Sequence, residues 1–183
     1  MMIRDEDKLK LPAIAVTIRR ACASDADGMA NVSMRAWHLS LKDILPDGFL
    51  NQFEYEKQRE KYAERSLDPA WILLVAECEG KIVGMIGAKD NDSEPLLYEK
   101  QIKVMYVDPD FQNRGIGKAL LAAIFVEFKK QGFERAMLWC IAANKAACSF
   151  YQKHGAKRIE GIKPPEEYGA MAHVVYAWDA LDG

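Results

Sequence analysis

The stretch from 107 to 121 constrains this chain more than any other. An apolar strand passes through Asp108-Pro109 into the loop Gln112-Asn113-Arg114-Gly115-Ile116-Gly117-Lys118, and a helix follows at once. Gly115 and Gly117 carry no Cβ, so the backbone can curl and bring its N–H groups close to a ligand. Those groups and the dipole of the helix favour an anion, most naturally a phosphate. Arg114 and Lys118 add cationic donors on either side of the turn. Two familiar phosphate loops do not fit. The G-x-x-x-x-G-K-[ST] loop needs glycine where Gln112 stands and a hydroxyl where Ala119 stands; the G-x-G-x-x-G fingerprint needs glycine where Leu120 stands.

A second segment, Asn144-Lys145-Ala146-Ala147-Cys148-Ser149-Phe150-Tyr151-Gln152-Lys153-His154-Gly155, reads as a short helix stopped by glycine. Asn144 and Tyr151 stand two helical turns apart and can face one side. Elsewhere, 14–19 alternates as a first strand. Ser24-x-x-Asp27 resembles a capping box before a helix with Ala30, Met34, Trp37 and Leu41 at helical spacing. Pro46-Asp47-Gly48 breaks that helix, and a strongly charged one runs from about Phe49 to Ser66. Strands at 71–76 and 82–88 form a hairpin about Glu79-Gly80-Lys81, and 96–107 is a long fourth strand. The helix that starts near Gly115 carries the stripe Ile116, Ala119, Leu120, Ala123, Ile124 and Phe128 and closes at Gly132. Strands at 136–141, 156–160 and 170–178 complete the order. Two strand-helix-strand crossovers among hairpins predict an α/β (α+β) chain with a mixed sheet.

The two motifs, in this order and each tied to a strand, resemble the GNAT acetyltransferase superfamily. Gln112-x-x-Gly115-x-Gly117 is similar to the loop with which that family holds the pyrophosphate of coenzyme A. Asn144-x-x-Ala147-x-x-Phe150-Tyr151-x-x-x-Gly155 is similar to its later helix. Arg35-Ala36-Trp37 and Ile44-Leu45-Pro46-Asp47 look like the early acceptor lobe of some members. The resemblance implies a mixed, mostly antiparallel seven-stranded sheet flanked by helices. It also implies acetyl-coenzyme A as co-substrate and direct attack by a primary amine of a small molecule or peptide. Residues 1–12 read as a polar leader and 13–183 as a single domain; dimers are common among relatives.

By the same resemblance, the fourth and fifth strands part near Tyr106 and Trp139, and the pantetheine arm fills the gap. Backbone groups of Tyr106 and Val107 would bond its amides, the N–H groups of Gln112, Asn113, Arg114, Gly115, Ile116, Gly117 and Lys118 would take the pyrophosphate, Asn144 and Tyr151 would also bind the cofactor, and the thioester would lie beside Tyr151. Tyr151 is the family-matched proton donor to the leaving sulfur. Many relatives place a glutamate base where Gln101 stands, and an amide cannot accept that proton. Glu99, two residues earlier, could serve through a water; it could equally be a plain exposed strand residue, or the acceptor could enter already neutral. Trp37, Tyr55, Tyr106, Tyr168 and His173 are candidate acceptor-site residues, since aromatics line amine pockets by cation–π contact. His38 and His154 read as solvated or capping groups.

A formal net charge of -2 argues against nucleic acid as a partner. The four cysteines form no C-x-x-C pair, as in a reducing cytosol, and no His, Cys and carboxylate cluster has metal spacing. The N-terminus has no apolar segment of signal-peptide type and no run is long enough to span a membrane, so the protein reads as cytoplasmic. Two rival readings keep the fold: a non-catalytic acyl-coenzyme A sensor, favoured by Gln101, and an acyltransferase to a hydroxyl. The presence of both Asn144 and Tyr151 argues against the sensor.

Overall fold

A computed structural model describes residues 15–40, 42, 54–93, 97–165 and 171–181. The expected leader at 1–12, the break at Pro46-Asp47-Gly48 and Tyr168 lie outside these residues. Seven strands form one sheet in the order β1-β2-β3-β4-β5-β7-β6. They are β1 (Thr17–Arg20), β2 (Ile72–Cys78), β3 (Lys81–Asp90), β4 (Lys100–Val107), β5 (Ala136–Ile141), β6 (Lys157–Ile159) and β7 (His173–Trp178). Every neighbouring pair is antiparallel except β4 with β5, which the crossover through the 116–130 helix makes parallel. The second crossover makes no parallel neighbours, because β7 inserts between β5 and β6.

β2 and β3 are buried along nearly their whole length. Both faces of the sheet are covered there, which is why both strands read as continuous apolar runs rather than alternating ones. Their connection turns at Glu79 and Gly80, whose φ values of 50° and 75° are the left-handed pair of a two-residue hairpin loop.

One face carries α1 (Ala26–Arg35) and α2 (Tyr55–Leu67) over a cluster built on Met29, Val32, Tyr62, Val75 and Met85. The Tyr55 hydroxyl donates to Asp27 at 2.9 Å and Tyr62 is hydrogen-bonded to Ser33, so the two helices run in the same direction. The other face carries α3 (Ile116–Lys130) and α4 (Lys145–Lys153). α3 buries Ile116, Leu120, Leu121, Ile124, Phe125 and Phe128. The expected stripe is rotated by part of a turn: Ala119 is exposed, and Leu121 and Phe125 take the inner positions.

Two local expectations are corrected. The carboxylate that reaches back to cap the first helix is Asp25, bonded to the Cys22 N–H at 2.8 Å, not Asp27. Asp25 is also gripped by Arg19 at the end of β1, and Asp27 is turned toward Tyr55. The fourth strand begins at Lys100, since 97–99 form a turn. Among the described residues no helix is long and apolar enough to cross a membrane.

Candidate active site

β4 and β5 pair only at Lys100–Ala136, Gln101–Met137 and Ile102–Leu138. The register of β3 against β4 gives the cause of the parting. Gly87 faces Val104 while Ala88 faces Ile102, so Lys103 is an extra residue in β4. Such a bulge bends and over-twists its strand. Beyond it the facing edges, 103–107 and 139–141, have no strand partner among the described residues, although β3 and β7 still hold their outer edges. An extended edge of free N–H and C=O groups is a template for another extended chain.

β4 ends at Val107, and Asp108 directs the chain beyond it. Its N–H donates to Val83 O at 2.9 Å, and its carboxylate accepts from the Asp110 N–H at 3.0 Å and caps the short turn Pro109–Phe111. The same carboxylate, 1% exposed, meets Arg35 at 3.1 Å and Lys81 at 3.7 Å. Gln112 donates its side-chain amide to Val107 O at 3.2 Å. Asn113 at φ 60° and Gly115 at φ 82° then curl the chain left-handed into α3, leaving the first N–H groups of that helix directed outward without a side-chain cap. At Gly117 a Cβ would lie 3.3 Å from the Phe150 ring, so glycine lets α3 and α4 approach beside the loop.

Arg114 bears on whether this loop suits a polyanion. Its Nε is buried without a partner, its guanidinium lies 5.4 Å from the Phe111 ring centroid, and it borders a cleft of about 440 Å³ with Cys78, Glu79, Lys81 and Phe111. An orphaned cationic donor beside uncapped helix N–H groups fits the pyrophosphate of coenzyme A. Lys118 stays exposed on the outer side.

Tyr151 is buried on α4 against Phe150, Tyr176 and Trp178. Burial, with the nearby Cys140, Tyr106 and Cys148, raises its phenol far above the ordinary range. Its hydroxyl therefore stays protonated, and among the described residues it has no hydrogen-bond partner. Cys140 and Cys148 sit beneath it with sulfurs 3.8 Å apart, and burial pushes the Cys140 thiol up. Asn144 caps α4 by accepting the Ala147 N–H at 3.1 Å.

On the opposite face, Trp37 packs against Tyr106 with ring centroids 6.3 Å apart. It is held there by a turn of π-helix, Ala36–Ser40, that continues α1. These two join Tyr151 at the gap, but Tyr55 and Glu99 do not. Tyr55 is tied to Asp27, ten residues and so about 15 Å back along the helix from Trp37. Glu99 is exposed and precedes β4, about 10 Å before Ile102 on the side where the strands are still paired. His173 lies opposite Ile141 on β7, half-buried, its Nδ1 bonded to Met171 O at 2.8 Å, and burial lowers its pKa. Gln101 is fully buried and accepts from Ser93, which in turn accepts from Trp139. His154 caps α4 through Phe150 O.

Three residues have roles that the sequence reading did not assign. Asp108 and Arg35 tie α1 to the loop, although the sequence marks them only as an aspartate before proline at a strand end and as the start of Arg35-Ala36-Trp37. Arg65 lies over the Trp71 ring at 4.1 Å with its Nη1 buried and unpaired; in a helix of alternating charges nothing marks it. Among the described residues no group of His, Cys, Asp and Glu could hold a metal.

A mixed sheet that opens between its two parallel strands, beside a glycine-turned helix start, defines an acyl-coenzyme A acyltransferase. The family model described as acetyltransferase (GNAT) family matches residues 38–156, and the chain belongs to that family as an acetyl-coenzyme A-dependent acyltransferase. It is 27% identical over 144 residues to the uncharacterized N-acetyltransferase YuaI of Bacillus subtilis, covering 79% of this chain and 82% of that protein. It is 32% identical over 102 residues to the mycothiol acetyltransferase of Propionibacterium freudenreichii, covering 55% of this chain; the match spans only 32% of that longer protein. The PaiA N-acetyltransferase of Thermoplasma acidophilum, solved in complex with coenzyme A, superposes with a TM-score of 0.76 at 20% identity, over 90% of this chain and 99% of that one. At that identity the likeness speaks for the fold.

Proposed function

We propose that the protein transfers the acetyl group of acetyl-coenzyme A to a primary amine of a small molecule or peptide, with residues 13–183 acting as one domain. The observation that carries this reading is the parting of β4 and β5 after Ile102 and Leu138, beside a loop whose helix start has no side-chain cap and whose Arg114 Nε is buried without a partner. The backbone edge at Tyr106 and Val107 binds the pantetheine amides, and the loop from Gln112 to Lys118 binds the pyrophosphate. The coenzyme A bound to the Thermoplasma acidophilum relative supports this assignment. When bound, acetyl-coenzyme A supplies a thioester whose acetyl carbon takes the acceptor nitrogen as the carbon–sulfur bond breaks.

Tyr151 holds a proton at its Oη for the departing sulfur, as a phenol does near neutral pH. Asn144 fixes the start of α4 and so the height of Tyr151. With Gln101 sealed in the sheet and Glu99 on the paired side, no side chain among the described residues is dedicated as base; the acceptor enters as its neutral fraction, and its nitrogen sheds the surplus proton to water after attack. It enters over Trp37 and Tyr106, because α3 and α4 cover the other face. His173 lines the far rim.

The test couples calorimetric titration of coenzyme A with release of free thiol from acetyl-coenzyme A in the presence of an amine panel. Saturable binding and thiol release that depends on the amine are expected. Binding with no release under any amine would make the protein a sensor, and absence of binding would refute the cofactor site.

A further inference from the structure

The acceptor face carries a cation that nothing among the described residues neutralises. Arg65, in the last turns of α2, rests its guanidinium 4.1 Å over the Trp71 ring and 5.8 Å from the Tyr62 ring. Trp71 in turn lies against Gly87, where a Cβ would come within 3.4 Å of the indole and 2.9 Å of the Val104 side chain. Gly87 pairs with Val104, two residues past the last rung that β4 shares with β5. The guanidinium therefore lies, with Trp71 between, on the face of the sheet toward which Gly87 and Val104 turn, opposite α3. Tyr106 is close enough for the two groups to act on each other electrostatically.

Arg65 Nη1 is buried with no hydrogen-bond partner, and among the described residues no acid pairs with this side chain. One turn earlier, Lys61 also has no acidic partner among the described residues. Burial lowers the pKa of both groups, and Arg65 adds a repulsive contribution at Lys61. Two like charges at i and i+4 destabilise a helix, and a buried unpaired donor is costly. The other cations of α2, Lys57 and Arg59, are paired with Glu54 and Glu56, so the helix has acids available and withholds them here.

We propose that Arg65, backed by Lys61, is an anion subsite that holds a carboxylate of the acceptor, which makes the acceptor an amino acid rather than a polyamine. The inference rests on the transferase reading and deepens it. A guanidinium matches a carboxylate in shape and charge and forms a charge-assisted pair with it, stronger in a desolvated pocket than in water. A ligand carboxylate paired with the exposed part of the Arg65 guanidinium would offset the repulsion within α2. A wholly cationic amine would add a third positive charge beside the same two groups.

The experiment measures acetyl transfer by thiol release for the twenty common amino acids and for tyramine, histamine, tryptamine and cadaverine, the decarboxylated partners of four of them. Wild type, Arg65→Gln and Lys61→Gln are compared, with the acetyl-coenzyme A Kd and the melting temperature of each measured alongside. Wild type is expected to prefer at least one amino acid over its decarboxylated partner by at least about tenfold in kcat/KM, since a site built for a polar group rejects the analogue that lacks it. Arg65→Gln should bring that ratio close to one with the acetyl-coenzyme A Kd unchanged. Lys61→Gln, at a more exposed position, should reduce the ratio part of the way. Equal or faster turnover of the decarboxylated amines by wild type would overturn the subsite while leaving the transferase reading intact. No transfer to any amine, with acetyl-coenzyme A still bound, would overturn both.

Discussion

Arg35 grips Asp108 across 73 residues of chain, with Nε and Nη2 at 3.1 and 3.3 Å from its two carboxylate oxygens. The same guanidinium reaches Asp110 at 2.7 Å. One residue from α1 thus holds the turn that leads into the 112–118 loop, and Trp37 two residues later packs against Tyr106. The α1 face of the sheet and that loop share a brace.

Arg35→Ala should therefore harm both halves. Removing one partner of a pair whose carboxylate is buried leaves that charge poorly compensated; because Arg35 itself is partly exposed, the loss should be about 1–3 kcal/mol. Urea denaturation measures it. The KM for acetyl-coenzyme A should rise as the 109–111 turn loosens.

Gly115 has open space where a Cβ would go, but its φ is +82°. Gly115→Ala should cost about 1 kcal/mol in backbone strain alone. Relief of that strain would turn the helix N–H groups away from the anion, so coenzyme A should bind about tenfold more weakly, a change of about 1.4 kcal/mol. Calorimetry on the variant separates the two effects.

Tyr151→Phe keeps the ring contacts with Tyr176 and Trp178 and removes only the proton. kcat should fall about a hundredfold, the lower end for loss of a general acid, with little change in the coenzyme A Kd. Unchanged turnover would take Tyr151 out of the chemistry.

Acid should unlatch β1 from the first helix. The hydrogen bond from Arg19, helped by the Cys22 N–H against the opposing effect of burial, lowers the Asp25 carboxyl from 3.8 to about 2. A folded-state value below the unfolded one gives stability that is complete above pH ~4 and is lost as pH falls toward 2. With Arg19 partly exposed, the contribution should be about 1–2 kcal/mol. Urea midpoints for wild type and Asp25→Asn should differ at pH 6 and converge near pH 2.

The loop from Gln112 to Lys118 was legible because its requirements are local. A left-handed position at Gly115 and a close approach at Gly117 demand glycine, and uncapped N–H groups result from the helix start. Seven strands were legible for the same reason, since turns and apolar runs are written in neighbouring residues. The position of β7 between β5 and β6 was not, because pairing is decided by surfaces far apart in sequence. Residue type alone draws Tyr55 and Glu99 toward the site. One is claimed by Asp27 and the other ends before the strand opens. Arg65 was not legible because a charged residue in a charged helix reads as solvated, and only the placement of Trp71 over Gly87 shows that it is not.

Reception of an extended ligand by the open edges of β4 and β5 is the central claim. Amide hydrogen exchange, measured with and without coenzyme A, tests this most directly. Exchange should slow at the edge-facing amides of 103–107 and 139–141 and through 112–118. If coenzyme A left these amides unprotected, or protected only residues remote from the gap, the site would lie elsewhere.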